Sequence, residues 1–201
     1  MKPSILSRIF LLLPALLAAW QVAIGIEGLE RIPVLAYTIG FGVLLVACLL
    51  LIILGLEVLE SPVVVIVSTV IPLSLSLGLV WEHLAAWRTP YLLFVVAGFL
   101  AIVVTRSLPL KGRLPVILLA IVHGIAGMTI FLLPPILAAN GTMKPAFALV
   151  GLGGALIGLG GLLLSFLKAG HPILSREAIL RILPALLLLM TVAFVAGFAL
   201  G

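Results

Sequence analysis

Apolar runs of about twenty residues follow one another along almost the whole chain, and the short breaks between them hold nearly all of its charge. A run of that length is enough to cross the hydrocarbon layer of a bilayer as a helix. Inside lipid every backbone N–H and C=O must find a partner within the protein, so only helices and closed barrels can span. The runs are continuously apolar and lack the alternation of a barrel strand, which selects helices. Only 8% of the residues are charged and 65% are hydrophobic, with a mean hydropathy of +1.50. A water-soluble domain carries about 25% charged residues, so this sequence has too little polar material to cover a water-facing surface. The expected fold is all-α: a polytopic transmembrane bundle of about seven spans.

The spans are expected at residues 5–26, 33–56, 62–81, 90–105, 115–139, 145–167 and 178–200. Spans two to six each open on a proline: Pro33, Pro62, Pro90, Pro115 and Pro145. Proline suits a first helical turn, where its missing N–H would be unpaired in any case. Ser61 and Thr89, each just before a proline, are expected to supply capping hydroxyls. Seven spans nearly use up the 201 residues, so residues 1–201 are read as a single integral membrane domain with no soluble part. The opening segment also has a signal-peptide look, with cleavage conceivable after Ala19. A retained first helix is preferred, because the apolar stretch runs on past Trp20 to Ile26.

The net charge is +5 and the pI about 10.0. The basic residues lie at the ends of apolar runs, which relates them to lipid headgroups and orientation and not to nucleic acid. Lys2, Arg8, Arg106, Lys111, Arg113, Lys168, Arg176 and Arg181 fall on the side of the N-terminus, against Arg31, Arg88 and Lys144 on the other. The positive-inside rule then expects the N-terminus in the cytoplasm and the C-terminus outside. A multi-pass protein of a prokaryotic cytoplasmic membrane is the expected setting. The lone Cys48 excludes an internal disulfide and a cysteine-based metal cluster.

Packing and bending are partly written in the sequence. Gly151, Gly154, Gly158 and Gly161 share one face of the sixth span, where a neighbouring backbone can approach closely; a cofactor lying flat on the glycines is the alternative. Pro72, in a span with Ser68, Thr69, Ser74 and Ser76, marks the third helix as central and kinked, with the hydroxyls re-satisfying freed backbone groups. Pro14, the Pro134–Pro135 pair and Pro184 are expected to bend their helices. Arg106 closes the fourth span and is expected to snorkel toward the headgroups.

Few groups within the spans can carry chemistry, and each has a structural reading beside a functional one. Glu57 and Glu60 are either a solvated corner or a proton or cation site. His123 lies eight residues after Pro115, about 12 Å into the bilayer at the rise of an α-helix. It is either a neutral histidine bonded to a neighbouring helix or a quinone, haem or proton-relay group. Trp81, Glu82, His83, Trp87 and Arg88 form a cluster that suits an aromatic belt. An acid, a histidine and an arginine together can also bind a quinone carbonyl and handle its proton, and Glu27, Glu30 and Arg31 lie on the same side. His83, His123 and His171 fall at different depths, which argues against an internal bis-histidine haem. Asn140-Gly141-Thr142 has the form of an N-glycosylation acceptor. No catalytic residue and no metal site is expected: a GxSG nucleophile motif and a HExxH zinc motif are both absent from the sequence.

The segment Ser165-Phe166-Leu167-Lys168-Ala169-Gly170-His171-Pro172, followed by Leu174-Ser175-Arg176-Glu177-Ala178-Ile179-Leu180, resembles a loop in the membrane-anchor subunits of dimethyl-sulfoxide/polysulfide reductase-type complexes. Ala86-Trp87-Arg88-Thr89-Pro90 is similar to another segment of those anchors. The resemblance extends over about thirty of the 201 residues, twenty of them in the segments quoted. The stretch that connects the two halves in that family is missing here, the order along the chain differs, and the family usually has more helices. The resemblance implies a haem-free, quinone-reacting anchor for an iron–sulfur or molybdenum partner. The expected function is therefore a non-catalytic anchor or accessory subunit of a larger membrane complex, respiratory or redox in type, with quinone as the candidate cofactor. Its candidate quinone or proton contacts are His123, Glu82, His83, Arg88 and Glu57, and its partners are lipids and other membrane or redox subunits. The alternative is a small solute or ion transporter or channel.

Overall fold

The computed structural model describes residues 4–108, 113–168 and 173–201. Lys2, Lys111 and residues 169–172, with His171, lie outside the described residues, as does the side chain of Glu60. Among the described residues, seven helices are long and apolar enough to cross a membrane. They are α1 (Ile5–Ile24), α2 (Arg31–Leu54), α3 (Pro62–His83), α4 (Arg88–Ser107), α5 (Leu114–Ala139), α6 (Ala148–Lys168) and α7 (Arg176–Leu200). Large apolar side chains such as Leu93 on α4, Ile121 on α5 and Leu162 on α6 are more than half or about half exposed around the outside. Such a surface is compatible with lipid and not with water. The chain is an integral, multi-pass membrane protein.

Local chemistry explains where the helices start and stop. Ser4 and Ser175 cap α1 and α7, their hydroxyls accepting from the backbone N–H of Ser7 and Ala178. Gly25 and Gly55 end α1 and α2 at φ of +66° and +87°, a region that disfavours any residue with a Cβ. Two capping expectations differ from the structure. Ser61 occupies the N-cap of α3 without a side-chain hydrogen bond. Thr89 lies inside α4, which starts one residue earlier at Arg88 because a short 3-10 turn over Ala85–Trp87 feeds directly into it. Pro145 opens a 3-10 turn (Pro145–Phe147) ahead of α6. Pro33 sits at the third position of α2.

Six helices form a closed ring in the order α1, α2, α3, α5, α6, α7, with α7 returning to pack beside α1. The α4 helix stands outside the ring in the groove between α3 and α5. It is held there by Ile102 against Leu73, Val122 and Ala126, and by the Tyr91 hydroxyl, which donates to Thr129 Oγ1 at 3.1 Å. The ring is filled by Phe41, Leu75, Leu79, Ile130, Met190 and Phe194, all at most 2% exposed. The α3 and α7 helices are half enclosed along their apolar windows (50%), whereas α4 and α5 reach only 22% and 17%. The central placement expected for α3 is thus observed, and α3 runs unbroken through Pro72. The hydroxyls do not re-satisfy the carbonyl that proline frees. Ser68 and Thr69 donate to the Val65 carbonyl, and Ser76 donates to the Leu73 carbonyl.

Glycines set the closest helix contacts. At Gly154 a Cβ would lie 3.0 Å from the α5 backbone at Ile130 and Phe131, and at Gly151 2.5 Å from the Pro135 ring. Gly153 receives the Phe194 ring of α7 in the same way. The expected four-glycine face works only over its first half. A Cβ at Gly158 or Gly161 would meet nothing within 4 Å, so α5 leaves that face beyond Gly154.

Candidate functional site

The α1–α2 and α3–α4 turns meet at the end of the bundle where α1 and α3 finish, the far rim. The opposite end, where α1 starts, holds most of the arginines and is the basic end. At the far rim, Glu30 stands at the N-cap of α2, Trp81 in the last turn of α3 and Arg88 at the start of α4. The Trp81 indole N–H donates to Glu30 Oε2 at 3.1 Å, and Arg88 Nη2 donates to Glu30 Oε1 at 3.0 Å. Arg88 Nε also donates to the Trp81 carbonyl at 2.7 Å, and its guanidinium lies 5.6 Å from the centre of the Trp81 ring. One carboxylate therefore ties three helix ends together. The Trp81 hydrogen bond holds the Glu30 carboxyl below its ordinary value, partial desolvation opposes this, and the Arg88 charge and hydrogen bond lower it further.

Glu82 and His83 follow directly on this locked segment. Neither has a hydrogen-bond or ion-pair partner among the described residues, although the Glu82 charge reaches Tyr37 of α2. The His83 ring meets Phe147 edge-on at 5.4 Å. Phe147 contacts Phe198 at 6.1 Å, and Phe198 in turn contacts Tyr37 at 4.7 Å and Phe41 at 6.1 Å. A chain of aromatic rings thus leads from the rim into the middle of the bundle, with His83 at its outer end. Tyr37 lies flat on α3 because Gly78 has no Cβ; one there would fall 2.4 Å from the ring. Trp87 is 61% exposed, as an aromatic-belt residue should be.

Of the sequence-derived candidates, Glu82, His83 and Arg88 share the far rim. Glu30 joins them through its bonds to Trp81 and Arg88, whereas Glu27 and Arg31 form no bond to the cluster. His123 and Glu57 lie elsewhere. His123 sits on α5 toward the basic end, its Nδ1 3.2 Å from the Leu119 carbonyl of its own helix. The bond is therefore intrahelical and not to a neighbouring helix. Glu57 is in a turn at the basic end (Leu56–Glu60), within electrostatic reach of Arg176. The far-rim and basic-end groups are separated by the length of the helices, so they do not form one site. Among the described residues no three His, Cys, Asp or Glu side chains converge on a metal position.

Two features escaped the sequence reading. Gln21, the single glutamine, is 4% exposed inside α1. It donates through Nε2 to the Gly25 carbonyl at 2.9 Å, which leaves its Oε1 enclosed without a donor. It lines a shallow crevice at the far rim with Tyr37, Thr38 and Phe41. A polar amide within an apolar run is the signal that could have found it. The second is Arg106, whose Nε is enclosed and lacks an acceptor; the expected extension toward the headgroups does not describe that atom. The Asn140-Gly141-Thr142 motif forms a tight turn: the Asn140 side-chain carbonyl accepts from Thr142 N–H and Oγ1–H, around Gly141 at φ +76°.

No protein-family model, curated protein or solved structure matches this chain.

Proposed function

We propose that this protein is a non-catalytic anchor or accessory subunit of a larger membrane complex, respiratory or redox in type, and that its far rim contacts quinone. The observation that carries the reading is the pairing of a fixed and an unfilled part of one segment. Trp81 and Arg88 are bound to Glu30, while Glu82 and His83 beside them have no hydrogen-bond partner among the described residues. An acid and an imidazole held at the edge of an apolar aromatic chain suit a quinone: the rings receive its ring, and the polar pair takes its carbonyl and proton. The resemblance to reductase anchors at residues 86–90 falls on this rim. In this reading the N-terminus is cytoplasmic and the far rim faces outward across a prokaryotic cytoplasmic membrane, an orientation that the excess of basic residues at the N-terminal end supports.

The test is purification of the tagged chain from its native membrane in mild detergent. Co-purifying subunits are identified by mass spectrometry, and bound quinone by extraction. Stoichiometric redox subunits, with quinone lost on His83→Ala and Glu82→Gln, are the expected result. A chain that runs alone and without quinone overturns the proposal.

One observation favours the transporter alternative. Helices α1 to α3 pack in chain order, α5 to α7 do the same, and α4 stands aside as a connector. A parallel internal repeat is built this way, with its substrate site between the halves. Against it, the space between the halves is filled by Phe41, Ile130, Met190 and Phe194. Substrate-dependent flux in vesicles holding the purified chain alone would favour transport.

A further inference from the structure

The seam between α4 and α5 at the basic end holds two polar groups in an otherwise apolar surface. Arg106 lies in the last turn of α4, and His123 lies two to three turns into α5. The two helices are consecutive and antiparallel. Side chains on a helix lean toward its N-terminus, so Arg106 leans away from the basic end and His123 leans toward it. The two side chains therefore approach each other, and the Arg106 charge is felt at the imidazole. Gly98 brings the helices close at the level of His123, where a Cβ would lie 3.1 Å from the adjacent Val122, and Arg106 lies about two turns nearer the basic end.

Neither helix carries an acidic residue. The Arg106 Nε is enclosed without an acceptor, and no ion pair or hydrogen bond of Arg106 occurs among the described residues. An enclosed guanidinium nitrogen without an acceptor is costly. What it lacks is an anion, and the imidazole beside it offers a second donor to the same anion. Beside His123, Gly124 and Gly127 leave open space, with nothing within 4 Å of either Cβ position. The neighbouring surface is lined by exposed Ile117, Ile121 and Ile125.

We propose that Arg106 and His123 bind a phosphate-bearing group at the basic end of the α4–α5 seam, either the headgroup of an anionic phospholipid or free phosphate. The guanidinium fork takes two phosphate oxygens, and the imidazole donates to a third when its ring nitrogen is protonated. With a lipid, the acyl chains lie along the isoleucines of α5.

The test uses the purified full-length chain in nanodiscs of phosphatidylcholine with and without phosphatidylglycerol, read by native mass spectrometry and thermal unfolding. Wild type is expected to retain phosphatidylglycerol and to unfold at a higher temperature in its presence. Arg106→Gln should weaken retention about tenfold, the scale of one charge-assisted pairing. His123→Gln should weaken it less, and Arg113→Gln, an exposed arginine at the same end, should leave it unchanged. Protection by inorganic phosphate in pure phosphatidylcholine, abolished by Arg106→Gln, would assign the site to free phosphate. Equal retention by wild type and Arg106→Gln, with no effect of phosphate, overturns the proposal. Should Arg106→Gln fail to fold, Arg106→Lys and His123→Gln make the same comparison, and wild-type retention by both overturns it.

Discussion

The Arg88 guanidinium lies 3.0 Å from the Glu30 carboxylate across a sequence separation of 58 residues, joining the start of α4 to the start of α2. The bridge is half open to solvent, with side-chain exposures of 31% for Arg88 and 56% for Glu30, so its Coulomb attraction alone is weak and screened by salt. Its worth lies in the shared geometry: the same guanidinium holds the Trp81 carbonyl, and the same carboxylate holds the Trp81 indole. Trp81→Phe should lower thermal stability in low salt, and adding Glu30→Gln to it should cost less than Glu30→Gln does alone. Additive losses in that double-mutant cycle, read by thermal unfolding in detergent, would mean the contacts act independently.

Acid should release the same network. Glu30 has a folded-state value below its ordinary 4.5. A carboxylate with a depressed value contributes stability that is fully present above the unfolded value and lost as pH falls through the folded one. The stability difference between wild type and Glu30→Gln should therefore be constant above pH 4.5 and shrink below it. A difference that stays constant down to the acid limit of folding would remove Glu30 as the titrating group.

Truncating the centre of the ring should cost more than any change at the rim. Phe194 is 0% exposed and packs onto Gly153 of α6. In water-soluble proteins Phe→Ala costs about 3–5 kcal/mol, part of it transfer to water. Lipid removes much of that transfer part and leaves lost packing, so Phe194→Ala should cost about 2–3 kcal/mol. Reversible unfolding from detergent micelles by a denaturing surfactant measures it.

Helix number and the position of α3 were legible because apolar run length, proline at helix starts and small polar residues in a buried helix are local signals. The six-membered ring with α4 outside was not, because every span is similarly apolar and nothing local says which face meets protein. The rim was legible in part: Trp81, Glu82, His83 and Arg88 are neighbours in sequence, whereas Glu30 reaches them only through the fold. Counting residues from the span ends puts His123 at a different depth from His83, and the structure keeps the two apart. Arg106 was read by its side-chain length, but its own helix direction turns it inward.

The glycine face of α6 allows a paired test. A Cβ at Gly154 would lie 3.0 Å from the α5 backbone, which cannot rotate away, whereas one at Gly158 meets nothing within 4 Å. Gly154→Ala should force α5 and α6 apart at a cost of about 1–3 kcal/mol. Gly158→Ala should be neutral or slightly stabilising, since alanine is the better helix former. Equal effects of the two on unfolding would mean that α5 follows the whole face.

The proposed orientation rests on a charge asymmetry between the two ends of the bundle. Arg8, Arg106, Arg113, Arg176 and Arg181 gather at the end where α1 starts, and Arg31, Arg88 and Lys144 lie at the end where it finishes. Seven spans put the two termini on opposite sides, and in the proposed orientation the side richer in basic residues is the cytoplasmic one. An epitope tag after Gly201 should be reached by antibody in intact spheroplasts, and a tag before Ser4 only after lysis. The reverse pattern would invert the protein and move the far rim, with Glu82 and His83, to the cytoplasmic face. Accessibility of both tags from one side would require an even number of spans, as cleavage or exclusion of α1 would produce.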